Sequence, residues 1–163
     1  MSHLKQVNKK IFTLNNLIAE VNEWKKSKQK IIFTNGCFDI LHRGHIEVLA
    51  QAANLGGKVV VGLNSDTSIQ KLKGKERPIV NEQYRAILLA SLSFVDAVVV
   101  FDEDSPIKLI KEIQPDILVK GGDYEINKII GRKIVQKNGG KVIIIPFLDN
   151  FSSTNIINQI NKT

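Results

Sequence analysis

The sequence predicts an α/β fold: a five-stranded parallel sheet with helices on both faces, preceded by an N-terminal helix. Three observations carry this. Five short apolar runs, at residues 31–34, 59–63, 97–101, 117–119 and 142–145, are continuous rather than alternating. Continuous runs mark strands buried on both faces. Helical patterns separate them, so strand and helix alternate along the chain. No repeat or low-complexity stretch interrupts, and 163 residues suit one domain with its own core.

The elements follow in order. Residues 1–10 are polar and are expected to be loose. Thr13 then caps a helix whose Leu14, Leu17, Ile18, Val21 and Trp24 form one apolar stripe. Residues 1–29 therefore read as an N-terminal tail and helix packed on a main domain of residues 30–163. The helix at residues 44–55 stops at Gly56-Gly57. A lysine-rich loop covers residues 71–78, and residues 81–92 form a helix. Ser105-Pro106 opens the next helix, with proline suited to a first turn, and Gln114-Pro115 ends it. Residues 127–138 form a helix closed by Asn138-Gly139-Gly140, and residues 153–160 a final short one.

The net charge is +7. Such a balance suits polyanions. The lysines are scattered without interleaved aromatic residues, which argues against a nucleic-acid groove and for a solvated surface. No apolar run approaches the ~20 residues that cross a bilayer, and Met1-Ser2-His3-Leu4-Lys5 carries no signal-peptide apolar core. A cytoplasmic location with no membrane partner is the expectation. Cys37 is the single cysteine, so no internal disulfide forms, and it has no spaced partner set for metal. At the strand exit it reads as a small half-buried filler.

The chemistry concentrates in Thr34-Asn35-Gly36-Cys37-Phe38-Asp39-Ile40-Leu41-His42-Arg43-Gly44-His45. A strand leads into a glycine turn and then a helix N-terminus, whose N–H groups and partial positive charge favour an anion. His42 and His45, three positions apart, lie on one side of the first turn. Gly44 between them lets a ligand approach the backbone. The pair can in principle bind metal, but no third ligand is evident, and Cys37 as a nucleophile has no support. Stabilising charge on a phosphoryl group needs only donors and positive charge.

Gly36-Cys37-Phe38-Asp39 followed by His42-Arg43-Gly44-His45 resembles the signature of the HxGH nucleotidyltransferase superfamily, which includes the cytidylyltransferases. The resemblance covers residues ~11–163, nearly the whole chain. It implies a Rossmann-like sheet and transfer of a nucleoside monophosphate to a phosphate, with pyrophosphate released. His42 and His45 then contact the nucleotide phosphates, and Cys37, Phe38 and Gly44 line the nucleotide site. Asn64-Ser65-Asp66, Lys71, Lys73 and Arg77-Pro78 resemble the segment that supplies phosphate and substrate lysines. Lys73 is assigned to catalysis; Lys71, Arg77 and Arg85 are assigned to substrate. Lys71 and Lys73, on a loop ending in Gly74, can swing over a triphosphate. Arg77 is the more rigid fork, and Arg85 can equally pair with a carboxylate.

Later segments narrow the resemblance. Lys120-Gly121-Gly122-Asp123-Tyr124 and Ser152-Ser153-Thr154-Asn155-Ile156-Ile157 resemble the branch that makes ADP-heptose from ATP and heptose 1-phosphate. Gly121 and Asp123 are then nucleotide-binding, as are Ser152, Ser153 and Thr154. The family pattern is Ser-Thr-Thr where this chain has Ser152-Ser153-Thr154, which keeps the hydroxyl. Physically, these hydroxyls are also good N-caps, and Gly-Gly-Asp is also an ordinary turn. Asp39 reads as a loop anchor rather than a ligand.

The expected partners are ATP, carrying Mg²⁺, and a sugar 1-phosphate. No resident metal site and no nucleic acid are expected, and the resemblance allows a homodimer. Two other readings stay open: a cytidylyltransferase acting on glycerol 3-phosphate or another polyol phosphate, and a nucleotide-binding module without turnover.

Overall fold

The computed structural model describes residues 2–122, 124–146 and 153–160, apart from the side chains of residues 154, 155 and 158. The chain forms α1 (His3–Asn8), β1 (Ile11–Phe12), α2 (Leu14–Lys26), β2 (Ile31–Gly36), α3 (Arg43–Ala53), β3 (Lys58–Asn64), α4 (Asp66–Lys73), α5 (Glu82–Ala90), β4 (Ala97–Phe101), α6 (Ile107–Ile113), β5 (Ile117–Gly121), α7 (Arg132–Lys137), β6 (Lys141–Ile145) and α8 (Ser153–Ile160). The strands make one sheet in the order β1-β4-β3-β2-β5-β6, with every pairing parallel.

The continuous apolar runs have the reason the pattern predicts. Phe33, Val60 and Leu118 pack on one face with Leu17 and Val21 of α2 and Ile110 and Ile113 of α6. Their strand neighbours point the other way. Val59 and Val61 meet Leu49 of α3 and Leu89 of α5, while Ile32 and Val119 meet Val48 and Ala52 of α3. Each strand thus fills two cores in alternation.

Four differences from the expected layout have physical causes. The sheet has six strands, because Ile11–Phe12 pairs with Val98 and Val99 at the edge. Two residues are too short to register as an apolar run. Residues before this strand include a helical turn, α1, whose end meets α5, so they are not loose. Residues 66–73, read in part as loop, form α4, with Ser65 capping the Ser68 N–H at 3.0 Å. The helix expected over 127–138 is split into a short 3₁₀ turn (Ile126–Lys128) and α7. Gly131 sits between them at φ +87°, and a Cβ there would lie 2.3 Å from Ile110 Cδ1.

From β2 the chain steps outward through β3 to β4, then crosses back to place β5 on the other side of β2. The carboxyl ends of β2 and β5 therefore diverge at a switch point, where such sheets open a crevice.

Candidate active site at the switch point

The loop leaving β2 is held by buried polar bonds. Asp39 is 1% exposed; its Oδ1 accepts the N–H groups of Ile79 and Val80 at 2.7 and 3.0 Å, and its Oδ2 pairs with Arg77 Nε at 2.5 Å. Asp39 is a loop anchor, as its sequence context suggests. Phe38 takes φ +46°, and Gly36 makes room for its ring, since a Cβ at Gly36 would sit 3.1 Å from Phe38 Cε2. That turn lays Phe38 against His45, with ring centroids 5.0 Å apart.

His42 is the N-cap of α3 and makes no side-chain cap bond. Its ring stacks on His45, centroids 3.8 Å apart and planes 24° apart. Gly44 is buried in the same first turn. The Nδ1 atoms of both histidines are buried with no hydrogen-bond partner. Burial lowers both pKa values. That of His45 falls to about 3, with the charges of His42 and Lys73 acting in the same direction. Both rings are therefore neutral near pH 7 and carry one donor each. A polyanion arriving beside them favours the protonated form.

A cavity of about 310 Å³ opens here, walled by Asn35–Asp39, His45, Lys73, Lys120, Gly121, Tyr124 and Ser153, among others. Lys73 reaches it from the last turn of α4 and not from a loop. Gly74, at φ +96°, ends the helix just behind it. Cys37 is a half-buried free thiol on the cavity wall. Ser153 opens α8, and its Oγ donates to the Ile40 carbonyl at 3.2 Å, which brings that helix start beside the histidine loop. Two helix N-termini thus approach one anion position. Asp123 and Ser152 lie outside the described residues, as does the Thr154 side chain.

Two sequence assignments are corrected. Arg85 is 1% exposed, and its four hydrogen bonds all go inward: Nε to the Val80 carbonyl, Nη1 to the Cys37 and Asn64 carbonyls, and Nη2 to Asp66, at 2.6–2.8 Å. It braces the loop behind the site and is not presented to a substrate. Lys71, two residues before Lys73 on the same helix, faces the opposite way. It reaches Asp104 at 3.7 Å with its side chain 59% exposed, and it does not line the cavity. Arg77 is intermediate: Asp39 holds its Nε, while its Nη2 is buried without a partner.

Lys120 and Asn35 also line the cavity, though neither stands out as a site residue in the sequence. The available signal was a lysine at the end of an otherwise apolar strand, Ile117–Gly121. Among the described residues no group of three or more His, Cys, Asp or Glu could hold a metal, and no helix is long and apolar enough to cross a membrane.

Neutral imidazoles, a lysine and two helix starts around a switch-point cavity supply donors and charge for phosphates, as a nucleotidyltransferase requires. The chain belongs to the cytidylyltransferase-like family, whose model matches residues 33–159. It is 48% identical over 92% of its length to the bifunctional protein HldE of Koribacter versatilis, and 49% identical over 93% to that of Geotalea uraniireducens. The chain spans about a third of those relatives' length, 31% in each case. Among solved structures it is 32% identical to a lipopolysaccharide core biosynthesis protein of Thermoplasma volcanium, with a TM-score of 0.60 over 74% of this chain and 97% of that one. The pantoate-beta-alanine ligase of Francisella tularensis shares the fold, with a TM-score of 0.61 at 19% identity.

Proposed function

We propose that this protein transfers AMP from ATP to a heptose 1-phosphate, giving ADP-heptose and pyrophosphate for lipopolysaccharide core or related glycan synthesis. The observation that carries the reaction class is the stacked His42–His45 pair at the start of α3, with unpaired buried Nδ1 atoms beside the cavity. The choice of ATP and heptose is supported by the Lys120–Tyr124 and Ser152–Ile157 segments and by the likeness to HldE proteins and to a lipopolysaccharide core biosynthesis protein.

An oxygen of the sugar 1-phosphate attacks the α-phosphorus of ATP in line. The new P–O bond forms as the bond from Pα to the bridging oxygen breaks, and that electron pair leaves on pyrophosphate. The nucleophile is already an anion, so the protein supplies position and charge rather than a base. His42 and His45 donate to the phosphates, and Lys73 neutralises charge that develops on the leaving group. Ser153, Thr154 and Ser152 hold the far phosphates at the start of α8. Cys37, Phe38, Gly44, Gly121 and Asp123 shape the nucleotide pocket, and the Arg77 Nη2 end faces substrate. Mg²⁺ would enter with ATP as part of the substrate and keep several of its waters. A homodimer belongs to the same reading and is checked by sedimentation.

The test is pyrophosphate release from each of four nucleoside triphosphates against a panel of sugar and polyol phosphates. ATP with heptose 1-phosphate should be the fastest pair. Faster turnover of CTP with glycerol 3-phosphate would transfer the assignment to a polyol-phosphate cytidylyltransferase. Tight ATP binding with no turnover on the whole panel would make it a binding module.

A further inference from the structure

Lys120 is the last lysine one would place in an apolar strand, and its surroundings are unusual. It is the penultimate residue of β5, beyond the last β2–β5 pair at Phe33 and Leu118, and it lines the cavity. Its Nζ donates to Asn35 Oδ1 at 2.9 Å and to the Asn35 carbonyl at 3.3 Å. Among the described residues it makes no ion pair. Desolvation lowers its pKa. Burying an ammonium on neutral acceptors alone is unfavourable, and an anion in the cavity would offset that cost.

The partner matters as much as the charge. Only the oxygen of the Asn35 amide can accept from an ammonium, so the amide NH₂ is its other end. Lys120 spends two of its three N–H groups on Asn35 and keeps one. The pair therefore has N–H donors to spare for whatever sits above it. Lys120 and Asn35 lie at the ends of β5 and β2, respectively. Lys73 comes from the last turn of α4, a different element that reaches the same cavity. The donors on the cavity wall thus come from two places: His45 and Lys73 from the helices α3 and α4, and Lys120 with Asn35 from the sheet.

We propose that Lys120, held by Asn35, binds the phosphate of the acceptor substrate, while His42, His45 and Lys73 hold the nucleotide. This rests on the transferase reading and names the second anion's site within it. In-line transfer brings two phosphate-bearing substrates together, and a cation beside each offsets their repulsion. The one N–H that Lys120 keeps can hold a single oxygen of that phosphate and leave another free to attack.

The experiment separates the two anions. Affinity is measured by calorimetry for a non-hydrolysable ATP analogue, then for heptose 1-phosphate and glycerol 3-phosphate in its presence. In Lys120→Met the phosphate esters should bind about tenfold or more weakly, the loss expected for one charge-assisted hydrogen bond, with the analogue changed less than about threefold. Lys73→Met should do the reverse. Unchanged ester affinity in Lys120→Met overturns the assignment. Equal losses for analogue and ester, in both Lys120→Met and the donor-retaining Lys120→Gln, also overturn it and make Lys120 a support of the whole pocket. If the wild type binds glycerol 3-phosphate but not heptose 1-phosphate, the sugar assignment falls and the Lys120 comparison proceeds on glycerol 3-phosphate. Analogue binding with neither ester bound by the wild type overturns the Lys120 site as well.

Discussion

Two buried polar regions adjoin the loop between β2 and α3 and are built on opposite terms. Around Arg85, a fully buried guanidinium meets four acceptors, three of them backbone carbonyls and one Asp66. Around His42 and His45, the buried ring atoms meet none. A satisfied buried cation holds chain segments together, here the end of β2, the end of β3 and the loop before α5. An unsatisfied polar pair beside a cavity is costly in the free protein and is repaid when a ligand supplies its bonds. The contrast tells structure from function more sharply than residue type does, since by type Arg85 was the better phosphate ligand.

The largest effect should come from the satisfied side. Arg85→Leu strands three carbonyls and Asp66, and should cost about 3–5 kcal/mol of unfolding free energy in a denaturant titration. A variant as stable as the wild type would erase the distinction between the two regions. His45→Ala should do the opposite: kcat/KM for pyrophosphate release falls about 10²–10³-fold, as for loss of an oxyanion donor. Its loss of stability should be well below that of Arg85→Leu. Near-normal turnover would remove His45 from the chemistry.

The unsatisfied side should also show in pH. His45 titrates near its ordinary 6.5 when unfolded and at about 3 when folded. Between those values the unfolded chain binds the extra proton, so stability falls as pH drops through this window, by up to ~1.4 kcal/mol per pH unit for one proton. Above pH 7 the contribution is level. His42, shifted the same way, adds to the slope. His45→Gln should flatten the curve between pH 6.5 and 3, and an unchanged slope would refute the buried neutral ring. The smallest effect separates Lys73 from Lys71. Lys73→Ala should lower kcat/KM about tenfold or more. Lys71→Ala removes an exposed pair with Asp104 worth about 0–1 kcal/mol and should leave turnover near normal. Equal losses in the two variants would put both lysines over the triphosphate after all.

Most of the sheet was legible because its signal is local. The runs at 31–34, 59–63 and 97–101 are apolar on both alternating sets, and each becomes a strand packed on two faces. β1 was not legible: its two residues gain a place in the sheet only because Val98 and Val99 of β4 present an unpaired edge. The split of the helix over 127–138 was hidden for a similar reason. Gly131 takes positive φ where Ile110, twenty-one residues away, crowds it. In the site, His42, Gly44 and His45 were legible from spacing on one helical turn. Lys71 and Lys73 look alike in sequence and were separated only once α4 formed and turned them to opposite sides.

What the sequence determined alone is therefore what depends on near neighbours: the strands, the helix start after β2, the histidine pair, and a charge balance suited to polyanions. Tertiary structure decided what depends on distant partners. It buried Arg85 among carbonyls from three segments and made it a brace. It carried β5 back beside β2, so that Lys120 meets Asn35 eighty-five positions away at the cavity. The physical reason is that a cation's role is set by which acceptors surround it, and only the folded chain chooses those acceptors.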